Sequence, residues 1–366
     1  MLDGEPTFLF GFYHVSLSGP RRGQLLVDDI NTLADAGFNL IHAFIGPDDP
    51  HVQEVLDTAA QREVYIIAQF WWGGDMIPSL EGYRDDPALI GWMVADDFGT
   101  PWDNPPSPKP IRNLTNVVHQ YDPQGFAYGA GLGDPRYQNE LYVDAMDAFG
   151  LEVYPVSSKN WPFETVLEES IMNYAHNRAV FAGKPLLALP QTFAWHGGRY
   201  PTPTETRNFV WGALIEGVNS ILGYAYWDNS GLLPENNPAQ WQELIRLGQD
   251  VLAFDDVLLY GNLTTYDSYG EIDYPIDYPN YPSGVGNARI HAGIWEYNGD
   301  VYVVVLNTSQ SQSFEAEIPL PQGATGTPNP VFGGGRYGTG LTVQNGQLVG
   351  SVNPEEVHVY QIATSN

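Results

Sequence analysis

Apolar and polar positions over the first two thirds of the chain alternate between two patterns. Nearly unbroken apolar runs of strand length are followed by segments whose apolar residues recur every three or four positions, as on one face of a helix. The runs are Thr7–Val15, Phe38–Ile45, Glu63–Trp72, the stretch Pro87–Gly99, Gly125–Leu132, Ala148–Pro155, Lys184–Trp195 and Ser220–Asp228. The helical segments that follow them are Gly23–Ala36, His51–Gln61, Met76–Tyr83, Lys109–His119, Pro135–Ala145, Phe163–Phe181, Thr204–Glu216 and Pro238–Leu252. Gly37 ends the first helix, and Thr202-Pro-Thr-Glu-Thr206 offers an N-cap with an acid in the first turn.

Strands that are apolar throughout are buried on both faces, as in a parallel sheet covered by helices. Eight such units in about 250 residues predict a (β/α)8 TIM barrel over residues 1–256. A doubly wound open sheet would carry a glycine-rich phosphate turn after its first strand. Here that turn reads Ser16-Leu-Ser-Gly-Pro-Arg-Arg-Gly23, which does not fit.

The pattern changes after Phe254. Tyr266–Ser283 is dense in Tyr, Asp and Pro and cannot be a helix. From Ala288 onward, period-two alternation is joined by turn signals such as Asn298-Gly299 and Asn345-Gly346. That pattern predicts a small antiparallel β-sandwich over residues 257–366, entered through the Tyr/Asp/Pro-rich loop.

Charge narrows the partners. The formal net charge is -29, from 44 acidic against 15 basic residues, and the excess is spread along the chain. Such a field repels nucleic acid and anionic membrane, and excludes both as partners. It suits solubility in a salty medium, where self-repulsion is screened, and points to a halophilic source. The absence of cysteine removes disulfides, thiolate metal sites and cysteine nucleophiles together. The first residues show no basic n-region or apolar h-region, as expected of an intracellular protein or of one whose signal peptide has been removed, and no apolar run is long enough to span a bilayer. An extracellular or surface location is nevertheless expected.

The candidate chemistry lies at strand ends, where parallel α/β proteins place their ligands. The fourth run, Leu89-Ile-Gly-Trp-Met-Val-Ala95, stops at two adjacent carboxylates, Asp96 and Asp97. Glu152 sits late in the sixth run and Asp228 closes the eighth. Acids in such positions are costly unless paired or used. Two carboxyl groups on opposite sides of a sugar bond are what glycoside hydrolysis requires. Trp71, Trp72, Trp102, Trp161, Trp195 and Trp227 all fall at predicted strand ends or in the loops beyond. Sugars stack their apolar faces on such rings while polar neighbours bind the hydroxyls.

At this point the chain resembles a family. Gly91-Trp92-Met-Val-Ala-Asp96-Asp97 is similar to the strand-four Gly-Trp-x-x-x-Asp-Glu of (β/α)8 glycoside hydrolases, with Asp97 where Glu is usual. Leu151-Glu152-Val-Tyr154-Pro155 resembles their strand-six Asp-x-Tyr-Pro, and Tyr226-Trp227 their strand-eight Trp. The all-β tail is similar to the sandwich many of them carry. In the largest retaining group of these barrels a Glu nucleophile ends strand seven, yet this chain has Leu189-Pro-Gln191 there. The likeness therefore runs to α-galactosidase-type barrels, which draw their acids from strands four and six. That implies Asp97 as nucleophile or base, Glu152 as general acid and Asp96 as support. Substrate contacts are expected from His14, Trp71, Trp72, Tyr154, Gln191, Trp195, Trp227 and Asp228.

No catalytic metal and no organic cofactor are expected. His14, His42 and His196 could reach the lumen, but the first strand lacks the His-x-His of metal-dependent barrel hydrolases. A structural Ca2+ could be held by Asp267, Glu271, Asp273 and Asp277, although no EF-hand spacing is present. Two functions remain open: cleavage of a poly- or oligosaccharide, and a barrel that binds glycans or serves as a structural or surface subunit without turnover.

Overall fold

The computed structural model describes residues 5–16, 19–70, 76–98, 107–133, 139–156, 163–194, 198–228, 231–267 and 289–364. Eight parallel strands close into a barrel: β1 (Leu9–Tyr13), β2 (Leu40–Phe44), β3 (Tyr65–Gln69), β4 (Leu89–Phe98), β5 (Phe126–Leu132), β6 (Ala148–Val153), β7 (Leu186–Pro190) and β8 (Ser220–Gly223). Each pairs with its sequence neighbour, and β8 returns to β1 through Leu9↔Ser220 and Gly11↔Leu222.

Alternation along each strand divides the core in two. Leu9, Tyr13, Leu40, Ile67, Met93, Tyr128, Ala148, Leu187 and Leu222 fill the barrel interior. Phe10, Phe12, Ile41, Ile66, Trp92, Ala127, Phe149 and Ile221 face outward under the helices. This is why the strands read as continuous apolar runs.

The helices are α1 (Gln24–Asp35), α2 (Val52–Gln61), α3 (Ile77–Tyr83), α4 (Pro108–Tyr121), α5 (Phe163–Val180), α6 (Pro203–Leu214), α7 (Leu233–Asn236), α8 (Pro238–Leu252) and α9 (Asp255–Tyr260). In α6 the Thr202 side chain accepts from the Glu205 backbone while the Glu205 carboxylate accepts from the Thr202 backbone, a capping box. The helix predicted over Pro135–Ala145 is corrected: its described part is a single 3-10 turn, Asn139–Tyr142. Asn139 is fully buried and bonded to Asn177, so a tertiary contact shapes this connection in place of a helical face. Among the described residues no helix is long and apolar enough to cross a membrane.

The strands of the C-terminal region are antiparallel: β9 (Asn262–Asp267), β10 (Ile290–Tyr297), β11 (Asp300–Asn307), β12 (Phe314–Pro319), β13 (Asn329–Pro330), β14 (Thr342–Gln344), β15 (Gln347–Val352) and β16 (Val357–Ala363). They form a five-stranded sheet, β9-β10-β11-β16-β13, and a three-stranded sheet, β12-β15-β14. Ile290, Ala292, Ile294, Val301, Val303 and Val305 pack against Ala316, Ile318 and Leu348 of the second sheet. The opposite face of the larger sheet, with Trp295, Val304, Leu306 and Val359, joins the barrel's helix layer beside Trp211 and Phe254. The larger sheet is thus buried on both faces, which accounts for the unbroken run Val301–Leu306.

A polar seam ties sheet to barrel. Glu243 of α8 has only 1% of its side chain exposed, and takes Nε of Arg207 and a guanidinium nitrogen of Arg336, both at 2.8 Å. Arg336 also reaches Asp250 at 2.7 Å, and the Tyr337 hydroxyl donates to Asp250 at 2.6 Å. Burial by itself would push the Glu243 pKa up, but hydrogen bonds and charge from Arg207 and Arg336 outweigh it and hold the group below the usual range. A depressed carboxylate pKa contributes stability that is present above the unfolded value, about 4.3, and is lost as pH falls through the folded value. Glu243→Gln should therefore lower unfolding stability by about 2 kcal/mol at neutral pH, less than for a wholly dry pair because Arg336 keeps some solvent. Urea titrations at pH 7 and pH 4 check this: the gap between variant and wild type should narrow in acid.

Candidate active site

The site begins with an irregularity in β4. Ala95 pairs with Gly129 and Phe98 with Gly131, so three steps on β4 oppose two on β5. This is a β-bulge. Asp97 takes the extra step at φ 50, the left-handed region that few non-glycine residues occupy. On a regular strand Asp96 and Asp97 would point to opposite faces; with the bulge, both carboxylates reach the barrel mouth. Gly131 makes the rejoining possible, since a Cβ there would lie 2.2 Å from the Phe98 carbonyl oxygen.

Glu152 comes from β6, paired with Leu132 on one side and Leu189 on the other. It follows Ala148 and Gly150 on the inward face. A Cβ on Gly150 would lie 2.1 Å from the Tyr128 hydroxyl, so this glycine admits the tyrosine beneath Glu152. One carboxylate oxygen from each of Asp96, Asp97 and Glu152 lies within 4.8 Å of the others. The three carboxyl groups form one cluster.

The cluster rests on phenols. Tyr13 and Tyr128 hydroxyls are 3.0 Å apart, and the Tyr13 ring lies 3.9 Å from the His42 ring. Tyr154 meets Phe193 edge-on at 5.1 Å and Tyr224 at 5.8 Å. Burial, together with the charges of Asp96 and Glu152, raises all four tyrosines, Tyr13, Tyr128, Tyr154 and Tyr224. They remain neutral hydroxyls.

No ion pair reaches any of the three acids among the described residues, and the Asp97 backbone is the one hydrogen-bond donor they receive, to Asp96. Both aspartates are open to water at the mouth although protein surrounds them on the remaining sides. Burial pushes Asp96 up to about 7, with the neighbouring Asp97 charge adding to it and the Asp97 amide opposing. Glu152 is raised well above the usual range by burial and then by the charges of Asp96 and Asp97. Asp97 is raised by burial alone. Like charges this close cannot all ionise near neutrality. Glu152 is the group that keeps its proton most firmly. Three oxygens at this spacing are also a set that could take a hard divalent cation.

Several expected contacts fall elsewhere. His14 does not enter the lumen: its neighbour Tyr13 takes the inward position, and the fully buried His14 turns to α1. There Nε2 lies 2.7 Å from Asp29, which Arg21 also holds at 2.7 Å. Gln191 is corrected as well. It is fully buried, with Nε2 donating to the Val156 and Phe193 carbonyls and Oε1 accepting from the Val156 amide, so it ties the loop after β6 to the end of β7. His42 does point inward, but contacts Met93 Sδ at 3.0 Å, and burial lowers its pKa to about 3. Asp228 lies within 3.4 Å of the Tyr200 hydroxyl and its field reaches Tyr224. Trp227 is half-buried under the Arg21 guanidinium, 5.4 Å from the ring centre. Trp71, Trp72, Trp102, Trp161, Trp195, His196, Glu271, Asp273 and Asp277 lie outside the described residues, as does the side chain of Asp267.

Sequence reasoning missed the phenol floor. Tyr13 and Tyr128 lie within predicted strands, but the sequence does not give the face each takes, and the absence of Cβ at Gly150, which admits Tyr128, means something only once β5 and β6 are paired.

By sequence the chain matches no protein-family profile and no curated protein. By structure it is similar to solved glycoside hydrolases. A glycoside hydrolase family 5 protein from Bacteroides vulgatus ATCC 8482 superposes with TM-score 0.62 at 15% identity, over 99% of this chain and 90% of that one. A GH27 β-L-arabinopyranosidase from Geobacillus stearothermophilus gives 0.61 at 10% identity, over 99% and 98%. A maltogenic α-amylase from Thermotoga neapolitana gives 0.62 at 9%, over 98% and 99%. At these identities the likeness is one of fold.

Neutralising one acid tests the electrostatics directly. A carboxyl whose folded pKa lies above its unfolded value binds a proton that the unfolded chain has released, so it costs stability as pH rises through that window. Asp96→Asn should raise stability at pH 8 by about 1 kcal/mol, a value reduced by the water that reaches the mouth. It should also flatten the decline in unfolding midpoint expected of the wild type between pH 5 and about pH 7, which thermal melts of both proteins would check.

Proposed function

We propose that the protein is a glycoside hydrolase acting on a poly- or oligosaccharide, with Asp97 as nucleophile and Glu152 as general acid. The observation that carries this reading is the cluster itself: carboxyl groups from β4 and β6, within 4.8 Å, open to water and unpaired with any described basic side chain. Acids serving only the fold would be neutralised by partners, as Glu243 is. The division of roles follows the environments. The group best able to hold a proton at neutral pH suits protonation of the leaving oxygen, and the one least burdened by like charge suits attack at the anomeric carbon.

In the first step a lone pair of Asp97 forms the bond to the anomeric carbon as the glycosidic C–O bond breaks, and the Glu152 proton passes to the departing oxygen. In the second step water delivers its proton to Glu152 and its oxygen to the anomeric carbon, releasing Asp97. Asp96, accepting from the Asp97 amide, holds the bulge that aims the nucleophile. Tyr154, Trp227 and Asp228 are candidate sugar contacts at the mouth; Trp71, Trp72 and Trp195 remain candidates from the sequence alone. The proximity of the carboxyl oxygens favours retention of configuration: inversion requires about 6.5–9.5 Å to seat a water, retention about 5–5.5 Å. Three acids with no basic partner among the described residues also favour a neutral glycan over a uronate or sulfated one, whose charge would be repelled.

The test is reducing-sugar release from neutral and anionic polysaccharides, in low and molar salt. Asp97→Asn and Glu152→Gln should each lower kcat/KM at least about 1000-fold while leaving the fold intact by circular dichroism. Wild-type kcat/KM should fall in acid as Asp97 takes up a proton and in alkali as Glu152 loses one; Glu152→Gln should abolish the alkaline limb. NMR of the first-formed product should give the substrate's anomer. Activity surviving both substitutions overturns the assignment. Binding without turnover on every glycan favours a non-catalytic glycan-binding barrel, and activity abolished by a chelator assigns the cluster to a metal.

A further inference from the structure

The barrel's opposite end, where its strands begin, carries a second feature. Side chains normally fill a barrel of this kind in layers, and protein interiors are packed as closely as organic crystals. Here a cavity of about 600 Å3 opens at the strand starts. Its floor is apolar, formed by Leu9, Ile67, Ile90, Phe126 and Leu187 from five different strands. Its volume falls in the range of small-molecule sites, about 300–1,000 Å3.

The rim is polar and its groups are unequally engaged. Asp147 accepts from the Ala127 amide at 2.8 Å and lies 2.7 Å from His119 Nε2. Lys184 donates to the Val143 and Met146 carbonyls, both at 2.5 Å. Arg178, at the end of α5, differs. Among the described residues its one ion-pair contact is with Glu216, at 3.9 Å, and it donates no hydrogen bond. Other arginines of this acid-rich chain are held closely by a carboxylate: Arg21 by Asp29 at 2.7 Å, Arg199 by Glu205 at 2.5 Å and Arg207 by Glu243 at 2.8 Å, whereas Arg84 stands 3.8 Å from Asp85 but donates to the Tyr121 carbonyl at 2.6 Å. A guanidinium that presents a two-pronged donor beside an apolar cavity matches a planar carboxylate attached to an apolar body. A phosphate dianion fits less well, because Asp147 lies on the same rim, Glu216 stands 3.9 Å from Arg178, and among the described residues Arg178 is the one rim cation without a hydrogen bond.

We propose that this cavity is a second ligand site, remote from the acids of the mouth, that binds an amphipathic monocarboxylate with its apolar body over the floor and its carboxylate on Arg178. The proposal is independent of the catalytic reading.

Octanoate is the probe, with 1-octanol as its uncharged counterpart, titrated calorimetrically into the full chain at about 0.15 M salt, where exposed charges are screened beyond about 8 Å. The expected result is one saturable octanoate site, with octanol at least tenfold weaker. Arg178→Gln should weaken octanoate at least tenfold and leave octanol unchanged. Ile90→Trp, which fills the cavity from a partly exposed position, should remove both. Asp97→Asn should bind octanoate as wild type does, separating this site from the mouth. No saturable binding of octanoate overturns the proposal, as does equal affinity for octanol or an Arg178→Gln variant that binds octanoate unchanged. The wild-type comparison of octanoate with octanol decides the matter even if a variant does not fold.

Discussion

Bringing three carboxyl groups into one low-dielectric mouth, with no basic partner among the described residues, is a cost that the surrounding structure has to carry. Each group loses hydration, and each ionised neighbour raises the cost of the next. The acids respond by holding protons more tightly: Glu152 is raised well above the usual carboxylate range, Asp96 is pushed up to about 7, and Asp97 bears the smaller burden of burial alone. Neutral phenols beneath them add hydroxyls but no charge. A chain folded for stability alone would place lysine or arginine there, as the seam around Glu243 does with Arg207 and Arg336.

That contrast connects the two parts of the molecule. The same residue type, Glu, is held below its ordinary pKa at the junction between barrel and sheet and well above it at the barrel mouth. The difference lies in the partners, and the partners follow from place. Glu243 stands on a helix whose outer face meets the C-terminal sheet. Glu152 stands on the inward face of a strand. Stability gathered in the seam and in the double-sided burial of the larger sheet offsets strain at the mouth, where Asp97 occupies a left-handed backbone conformation.

The two ends of the barrel also differ in chemistry. Where the strands end, the mouth is acidic, floored with phenols and open to water. Where they begin, the cavity has an apolar floor and, on its rim, an arginine that makes no hydrogen bond among the described residues. Both depend on the same geometric fact: strands that alternate in and out leave their last and first inward residues without a layer above or below them.

Much of this was readable along the chain. Continuous apolar runs with helical segments between them determine a parallel barrel, because only strands covered on both faces exclude polar residues so thoroughly. The abrupt stop at Asp96 and Asp97 and the acid inside Ala148–Pro155 located the carboxyl cluster, because a strand end is where a buried run first meets solvent. Sequence could not decide which way side chains face. His14 and Tyr13 are adjacent, and only the pairing of Tyr13 with His42 turns the tyrosine inward and sends the histidine to Asp29. Gln191 looked like a substrate ligand until folding placed the Val156 and Phe193 backbones around it. The bulge that aims Asp96 and Asp97 the same way exists only as a mismatch between two strands. Sequence determined which residues must be buried and where polarity begins; tertiary structure decided which of them meet, because direction and contact belong to pairs of strands and not to either alone.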